Sequence, residues 1–94
     1  MKSFKRSFGS EERVYWISRH PSIVSGKIPC ENAHVRTGGV GRKADSKWIV
    51  PLTFEEHQEL HQKGQRTFEA KYGVNLIECA ERIEKEWQSW TKQA

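Results

Sequence analysis

Hydrophobic and polar positions near the N-terminus predict a helix followed by a turn. Ser10 precedes two glutamates and then apolar residues with helical spacing, which is typical of a helix start. This helix should end before Pro21, because a residue that precedes proline avoids the α region. Residues 21–29 then predict a turn or short hairpin that bends at Gly26. Its apolar residues are expected to point inward: Ile23, Val24 and Ile28.

The middle of the chain predicts two strands and a helix. Residues 30–36 alternate weakly between apolar and polar side chains, so that His34 and Arg36 would share the exposed face of a strand. Residues 48–52 form a short apolar run that predicts a second strand. Thr53 and the glutamate three residues later form a capping box, which predicts a helix from there to about Gly64.

The last third of the chain predicts two more helices, over 65–72 and over about 75–90. In the final helix the apolar residues recur every three or four positions and charged residues fill the opposite face. We expect Trp87 and Trp90 to close the core, with a dimer face as the alternative. The whole pattern predicts the α+β class: a basic flexible arm over 1–9, then a single domain over 10–94 with a ββα core at about 30–63.

Charge and cysteine content narrow the class of function. The net charge is +4, and residues 1–47 carry ten Lys and Arg against four Asp and Glu, which favours a polyanionic partner. No signal peptide or apolar run long enough for a membrane span is present, so a cytoplasmic protein without membrane contact is expected. In that compartment Cys30 and Cys79 should remain unbridged thiols.

Three histidines are the candidate chemical groups. His57 and His61 lie four residues apart on the predicted helix, which stacks two imidazoles on one face and suits a divalent metal. His34 lies on the strand that returns, through the second strand, into this helix, so we expect the three to converge on one groove. There a neutral histidine is either a metal ligand or a general base. The alternative is that they are surface or structural histidines.

The segment between the strands is rich in glycine and cations. Arg36, Arg42, Lys43 and Lys47 flank three glycines, and such a loop suits contact with a phosphate backbone. It contains no aromatic residue, so binding with weak or no sequence specificity is expected. The alternative is a solvated loop without a ligand.

Four sequence blocks occur in a recognisable order: AHVR at 33–36, GVGRKADSK at 39–47, IVPLT at 49–53 and EEHQELH at 55–61. Together they resemble the HNH endonucleases, which are ββα-metal nucleases, and above all their small phage and prophage members. The resemblance covers about residues 21–73. It implies a metal-dependent nuclease or nickase that hydrolyses phosphodiester bonds in DNA.

The resemblance also implies roles for individual residues. His34 corresponds to the general base, and His57 and His61 correspond to positions that hold a divalent ion, which would be Mg²⁺, Mn²⁺, Ni²⁺ or Zn²⁺. Arg36 and the cations of the loop would position the phosphodiester. The protein would act on DNA as a monomer or a homodimer.

The chain departs from that family at three places. Ala33 stands where many members have a metal ligand, so the ion has fewer protein ligands or His34 is itself a ligand. Trp48 stands where the middle asparagine usually lies, and Asp45 is the nearest candidate for that orienting catalytic role or for a carboxylate ligand to a hard metal. Residues without a thiol replace the cysteines of a frequent zinc knuckle, so no structural zinc is expected: Ser22, Ser25 and Thr53. Ala33 and Trp48 favour the alternative function, a non-catalytic nucleic-acid-binding ββα module of phage origin.

Overall fold

The computed structural model describes residues 8–36 and 46–93. Over these ranges the fold combines four α-helices with a two-stranded antiparallel sheet, which confirms the predicted α+β class. The elements follow in the order α1 (Glu11–Arg19), β1 (Glu31–His34), a short 3-10 helix (Ser46–Trp48), β2 (Ile49–Leu52), α2 (Phe54–Lys63), α3 (Gln65–Tyr72) and α4 (Leu76–Gln93).

The helix boundaries follow the capping residues of the sequence. The Ser10 hydroxyl accepts a hydrogen bond from the Arg13 backbone N–H at the start of α1. Thr53 and Glu56 form both hydrogen bonds of the predicted capping box at the start of α2. Gly73 ends α3 in the left-handed conformation, with φ of 66°, and Asn75 accepts from the Glu78 N–H at the start of α4. These local predictions are confirmed.

The two strands pair over four residues, with Glu31 opposite Leu52 and His34 opposite Ile49. One further backbone hydrogen bond, from the Val35 N–H to the Trp48 carbonyl at 2.9 Å, extends the pairing beyond β1. Both strands are shorter than predicted: β1 covers Glu31–His34 rather than 30–36, and Trp48 ends a 3-10 turn instead of starting β2.

The two strands β1 and β2 form a hairpin, and a separate apolar cluster packs on each of its two faces. Ala33 on β1 and Val35 just after it belong to the larger one, with residues of β2 and of the three later helices: Val50, Leu52, Leu60, Phe68, Leu76, Cys79 and Ala80. Ile17, Ile49 and Ile83 form the smaller cluster, on which Phe8 and Trp16 pack. Ile49 is the cross-strand partner of His34, so α1 covers the face of the hairpin that carries His34.

The turn over residues 21–29 is stabilised mainly by hydrogen bonds. The Ser22 hydroxyl donates to the Glu56 carboxylate at 2.6 Å, and the same carboxylate accepts from the Thr53 N–H at 2.9 Å. Burial acts to raise the pKa of Glu56, but hydrogen bonds from Ser22, Ser25 and Thr53 lower it. Ile23 and Val24 pack on the core as predicted. The prediction for Ile28 was wrong: it is 46% exposed, because the turn holds its shape through polar contacts.

The apolar stripe of α4 is buried only over its first half. Leu76, Cys79, Ala80 and Ile83 are in the core, as the periodicity predicts. Trp87 is half-buried against Trp16, with ring centroids 5.4 Å apart, whereas Trp90 is 51% exposed and stacks on Trp87. The prediction that Trp90 helps to close the core was therefore wrong, because α4 extends past the body of the domain.

Both cysteines are buried and unbridged, as predicted. Burial and the neighbouring Glu56 raise the pKa of the Cys30 thiol to about 11. Burial also raises the pKa of the Cys79 thiol. Since the thiolate is the reactive form, these cysteines are structural.

A buried arginine that the sequence did not reveal joins α1, the 3-10 helix and α4. The Arg13 guanidinium donates to the Ser46 carbonyl at 2.6 Å and to the Glu84 carboxylate at 2.7 Å. It also lies 5.9 Å from the ring centroid of Trp87. These contacts tie the N-terminal helix to the C-terminal one at a residue that is 3% exposed.

Candidate functional site

The helix α2 presents His57 and His61 side by side. Their Nε2 atoms lie 3.1 Å apart and their ring centroids 4.7 Å apart. This is the geometry expected of residues at i and i+4 on a helix whose first turn is fixed by a capping box. The predicted pairing of these two histidines is present.

Glu31, the first residue of β1, completes a three-residue cluster with the histidine pair. Its carboxylate Oε1 lies 2.8 Å from His57 Nδ1. In a neutral imidazole this contact places the proton on Nδ1 and leaves the lone pair on Nε2, which faces His61. Sequence reasoning missed Glu31. Its signal was the alternation of the strand, which puts it on the same face as Ala33 and Val35, toward α2.

The histidine pair is compatible with a bound divalent ion. Two nitrogens bound at about 2.0–2.1 Å to one tetrahedral ion lie about 3.3 Å apart, close to the observed 3.1 Å. The hydrogen bond from His57 to a carboxylate is also the usual outer contact of a metal-ligating histidine. Over residues 8–36 and 46–93, however, no group of three or more His, Cys, Asp or Glu side chains is arranged to hold a metal. An ion here would need further ligands from water, substrate or another part of the chain.

His34 lies on the opposite side of the hairpin from this cluster. Its ring contacts Phe8, with centroids 4.7 Å apart, and its strand neighbour Ile49 belongs to the cluster beneath α1. Along β1 it is about 10 Å from Glu31, at about 3.3 Å per residue. The structure therefore brings together two of the three predicted histidines and places His34 at the far end of the strand, on the other face.

Arg36 is held at the start of α3 by its backbone. The Gln65 side chain accepts from the Arg36 N–H at 2.8 Å and donates to the Arg36 carbonyl at 2.9 Å. This two-point contact fixes the chain where it leaves the hairpin, and the Arg36 side chain is exposed. An exposed cation on a fixed backbone can contact a phosphate at low entropic cost.

Four further residues were predicted to contact phosphate or to take part in catalysis: Lys47, Arg42, Lys43 and Asp45. Lys47 is exposed and lines a shallow cleft with Glu81, Glu84 and Lys85 of α4, where positive and negative charges balance and do not favour phosphate. Arg42, Lys43 and Asp45 lie outside the described residues.

A second carboxylate fixes α2 against α3. Glu59 accepts hydrogen bonds from Lys71 and from the Tyr72 hydroxyl, and its carboxylate lies 3.2 Å from the Lys63 ammonium. Hydrogen bonds from Lys71 and Tyr72 lower the pKa of Glu59 to about 2. The helix that carries the histidine pair is thus anchored on the side away from β1.

Comparison with protein families gives a match over residues 1–88 to DUF968, described as a protein of unknown function. The chain belongs to the DUF968 family. A similar curated protein is the uncharacterized protein YdfU of Escherichia coli (strain K12), 32% identical over an alignment of 76 residues that covers 77% of this chain and 21% of YdfU. The chain thus spans about a fifth of that relative's length. No solved structure matches the chain.

The DUF968 match includes Glu31, His57, His61 and Gln65 and ends before Trp90. The family description names no activity. Among the described residues no helix is both long and apolar enough to cross a membrane.

Proposed function

We propose that this DUF968 chain is a metal-dependent nuclease that hydrolyses phosphodiester bonds in DNA. The observation that carries the proposal is the His57–His61 pair, with Nε2 atoms 3.1 Å apart and His57 oriented by Glu31. The order of β1, β2 and α2 agrees with the ββα core that the HNH resemblance implies.

In this proposal each residue of the cluster has a distinct role. His57 and His61 hold a divalent ion, and Glu31 fixes the tautomer of His57 so that Nε2 is free to ligate. The ion, when bound, supplies Lewis-acid stabilisation of the phosphoryl and leaving oxygens. Arg36, on its clamped backbone, contacts the phosphate that flanks the scissile bond.

His34 is proposed as the general base for the attacking water. Because His34 lies on the far side of the hairpin from His57 and His61, this role requires the end of β1 to reorient when substrate binds, so that His34 reaches the phosphodiester held at the ion. The roles of the histidines are therefore separable: loss of His34 should remove cleavage and leave metal binding intact, whereas loss of His57 should remove both.

Plasmid nicking tests this division. Supercoiled plasmid is incubated with wild type, His34→Ala, His57→Ala and His61→Ala in Mg²⁺, Mn²⁺, Ni²⁺ or Zn²⁺ and in EDTA, with metal affinity followed by calorimetry. His20→Ala is the matched control, because His20 contacts Pro21 and Glu86, away from the cluster. We expect nicking by wild type and His20→Ala alone, and metal binding by these two and by His34→Ala.

Thermal unfolding supplies a readout that does not depend on activity. Metal should raise the Tm of wild type and of His34→Ala, because an ion that binds only the folded state adds its binding free energy to the free energy of unfolding. The Tm of His57→Ala should not change when metal is added. An equal metal-induced shift in His57→Ala would place the ion elsewhere and overturn the assignment.

A second candidate function is a nucleic-acid-binding module without hydrolysis. The separation of His34 from the histidine pair favours it, because a base must reach the reacting atoms. This candidate would be supported against the nuclease if wild type slows the migration of DNA in a gel at low salt but nicks no plasmid with any of the four metals.

A further inference from the structure

The outward face of α1 and the end of α4 form an aromatic groove with charged ends. Tyr15 is 68% exposed and Trp90 is 51% exposed, although both are large rings. Six residues line the groove: Glu11, Glu12, Tyr15, Trp16, Arg19 and Trp90. Large exposed rings side by side, within a charged rim, are typical of an association surface.

The charges along α1 are arranged in a definite order. Glu12, Tyr15 and Arg19 follow one another at i, i+3 and i+7, so they lie on one stripe of the helix. The acidic end and the basic end of the stripe are about 10 Å apart, at 1.5 Å rise per residue. The aromatic side chain lies between them.

We infer that this groove is the interface of a homodimer. If two copies pack their α1 helices antiparallel about a twofold axis near Tyr15, Glu11 and Glu12 of each copy face Arg19 of the other. Such a contact is self-complementary, as a twofold interface must be, and it covers the exposed rings of both copies. A parallel arrangement would put like charges together. A nucleic-acid occupant is disfavoured by the two glutamates, which repel phosphate.

The inference is independent of the proposed function, and sedimentation equilibrium of the full chain tests it. Wild type should be in a concentration-dependent monomer–dimer equilibrium. Trp90→Ala should weaken dimerisation by about tenfold or more, since central aromatic residues dominate interfaces. Arg66→Glu is the control, because Arg66 is an exposed cation on α3 that does not line the groove. A wild type that is monomeric at all concentrations would overturn the inference.

A charge-exchange experiment tests the antiparallel geometry. Arg19→Glu alone and the double variant Glu11→Lys/Glu12→Lys alone should each be monomeric, because each places like charges across the axis. A mixture of the two should restore dimers, since all cross-axis pairs in the heterodimer are again of opposite sign. Circular dichroism checks that both variants fold. If the lysine variant does not fold, Arg19→Glu decides by itself: an undiminished dimer contradicts the interface.

Discussion

Arg13 is the residue on which the attachment of the N-terminal helix depends. Its guanidinium is buried between three elements, and Glu84, about one fifth exposed, is its carboxylate partner. A pair of this kind contributes little compared with a well-packed apolar substitute, but the loss of one partner is costly, because it leaves a buried charge uncompensated.

We expect Glu84→Gln to lower the free energy of unfolding by about 2–3 kcal/mol, which is less than the loss of about 3–5 kcal/mol for a fully buried pair because Glu84 is partly exposed. Urea unfolding measures this. Glu81→Gln, an exposed glutamate one turn earlier on α4, is the control and should change stability by less than about 0.5 kcal/mol. Equal small effects in both variants would mean that the Arg13–Glu84 pair is energetically unimportant.

At the residue scale, the contacts of some side chains could be predicted from the sequence and those of others could not. His57 and His61 were predictable because i and i+4 residues meet on any helix. Glu31 and Arg13 were not, because their partners are 26 and 71 residues away in the sequence. The alternation of β1 indicates which face carries Glu31, but the contacts themselves depend on how strands and helices pack, which no local pattern encodes.

At the scale of elements, two carboxylate contacts fix the position of α2, one made to it from β1 and one made by it to α3. Glu31 reaches it from β1, and Glu59 on α2 itself binds α3. The helices and their ends were predictable, because caps and glycines act locally. The length of α4 beyond the core and the exposure of Ile28 were not, because they depend on what the rest of the chain covers.

The Glu59 contact makes the packing of α2 on α3 sensitive to acid. The pKa of Glu59 in the fold is about 2, below its ordinary value of 4.5. A lowered pKa means that the folded state favours the charged form, so its contribution is complete above about pH 4.5 and is lost as the pH falls toward 2.

We expect wild type to be more stable than Glu59→Gln at neutral pH, and this difference to shrink between pH 4.5 and 2. Thermal unfolding of both proteins across that range measures it. Glu55→Gln, a neighbouring exposed glutamate on α2, is the control. A wild-type advantage that persists unchanged at pH 2 would show that the Glu59 carboxylate is not the titrating group.

At the scale of the whole molecule, the described cations of residues 1–47 do not form one uniform face. Arg13 is neutralised by Glu84, Lys47 lies beside glutamates of α4, and Arg19 belongs to the aromatic groove. Of the described cations in residues 1–47, this leaves Arg36 next to the hairpin end and Lys27 in the turn. The count of charges predicted a polyanion-binding face, but the packing decides which cations are available for it.

DNA affinity, measured by fluorescence anisotropy at several salt concentrations, should fall steeply with salt, and Arg36→Ala should reduce the slope by about 1. Lys92→Ala, which changes an exposed lysine in the last turn of α4, is the control and should leave the slope unchanged. A flat salt dependence in wild type would remove phosphate binding from the proposed function.

The hydrogen bonds between Ser22, Thr53 and Glu56 have a consequence for how the protein responds to metal supply. They hold the turn with side-chain and backbone groups of the protein, so the shape of this turn does not require a metal ion. If the proposed ion binds at His57 and His61, it could then be withdrawn and returned without loss of this turn. In a cell, free metal concentration would switch such a protein on and off reversibly, without sending it to the proteases that remove unfolded chains.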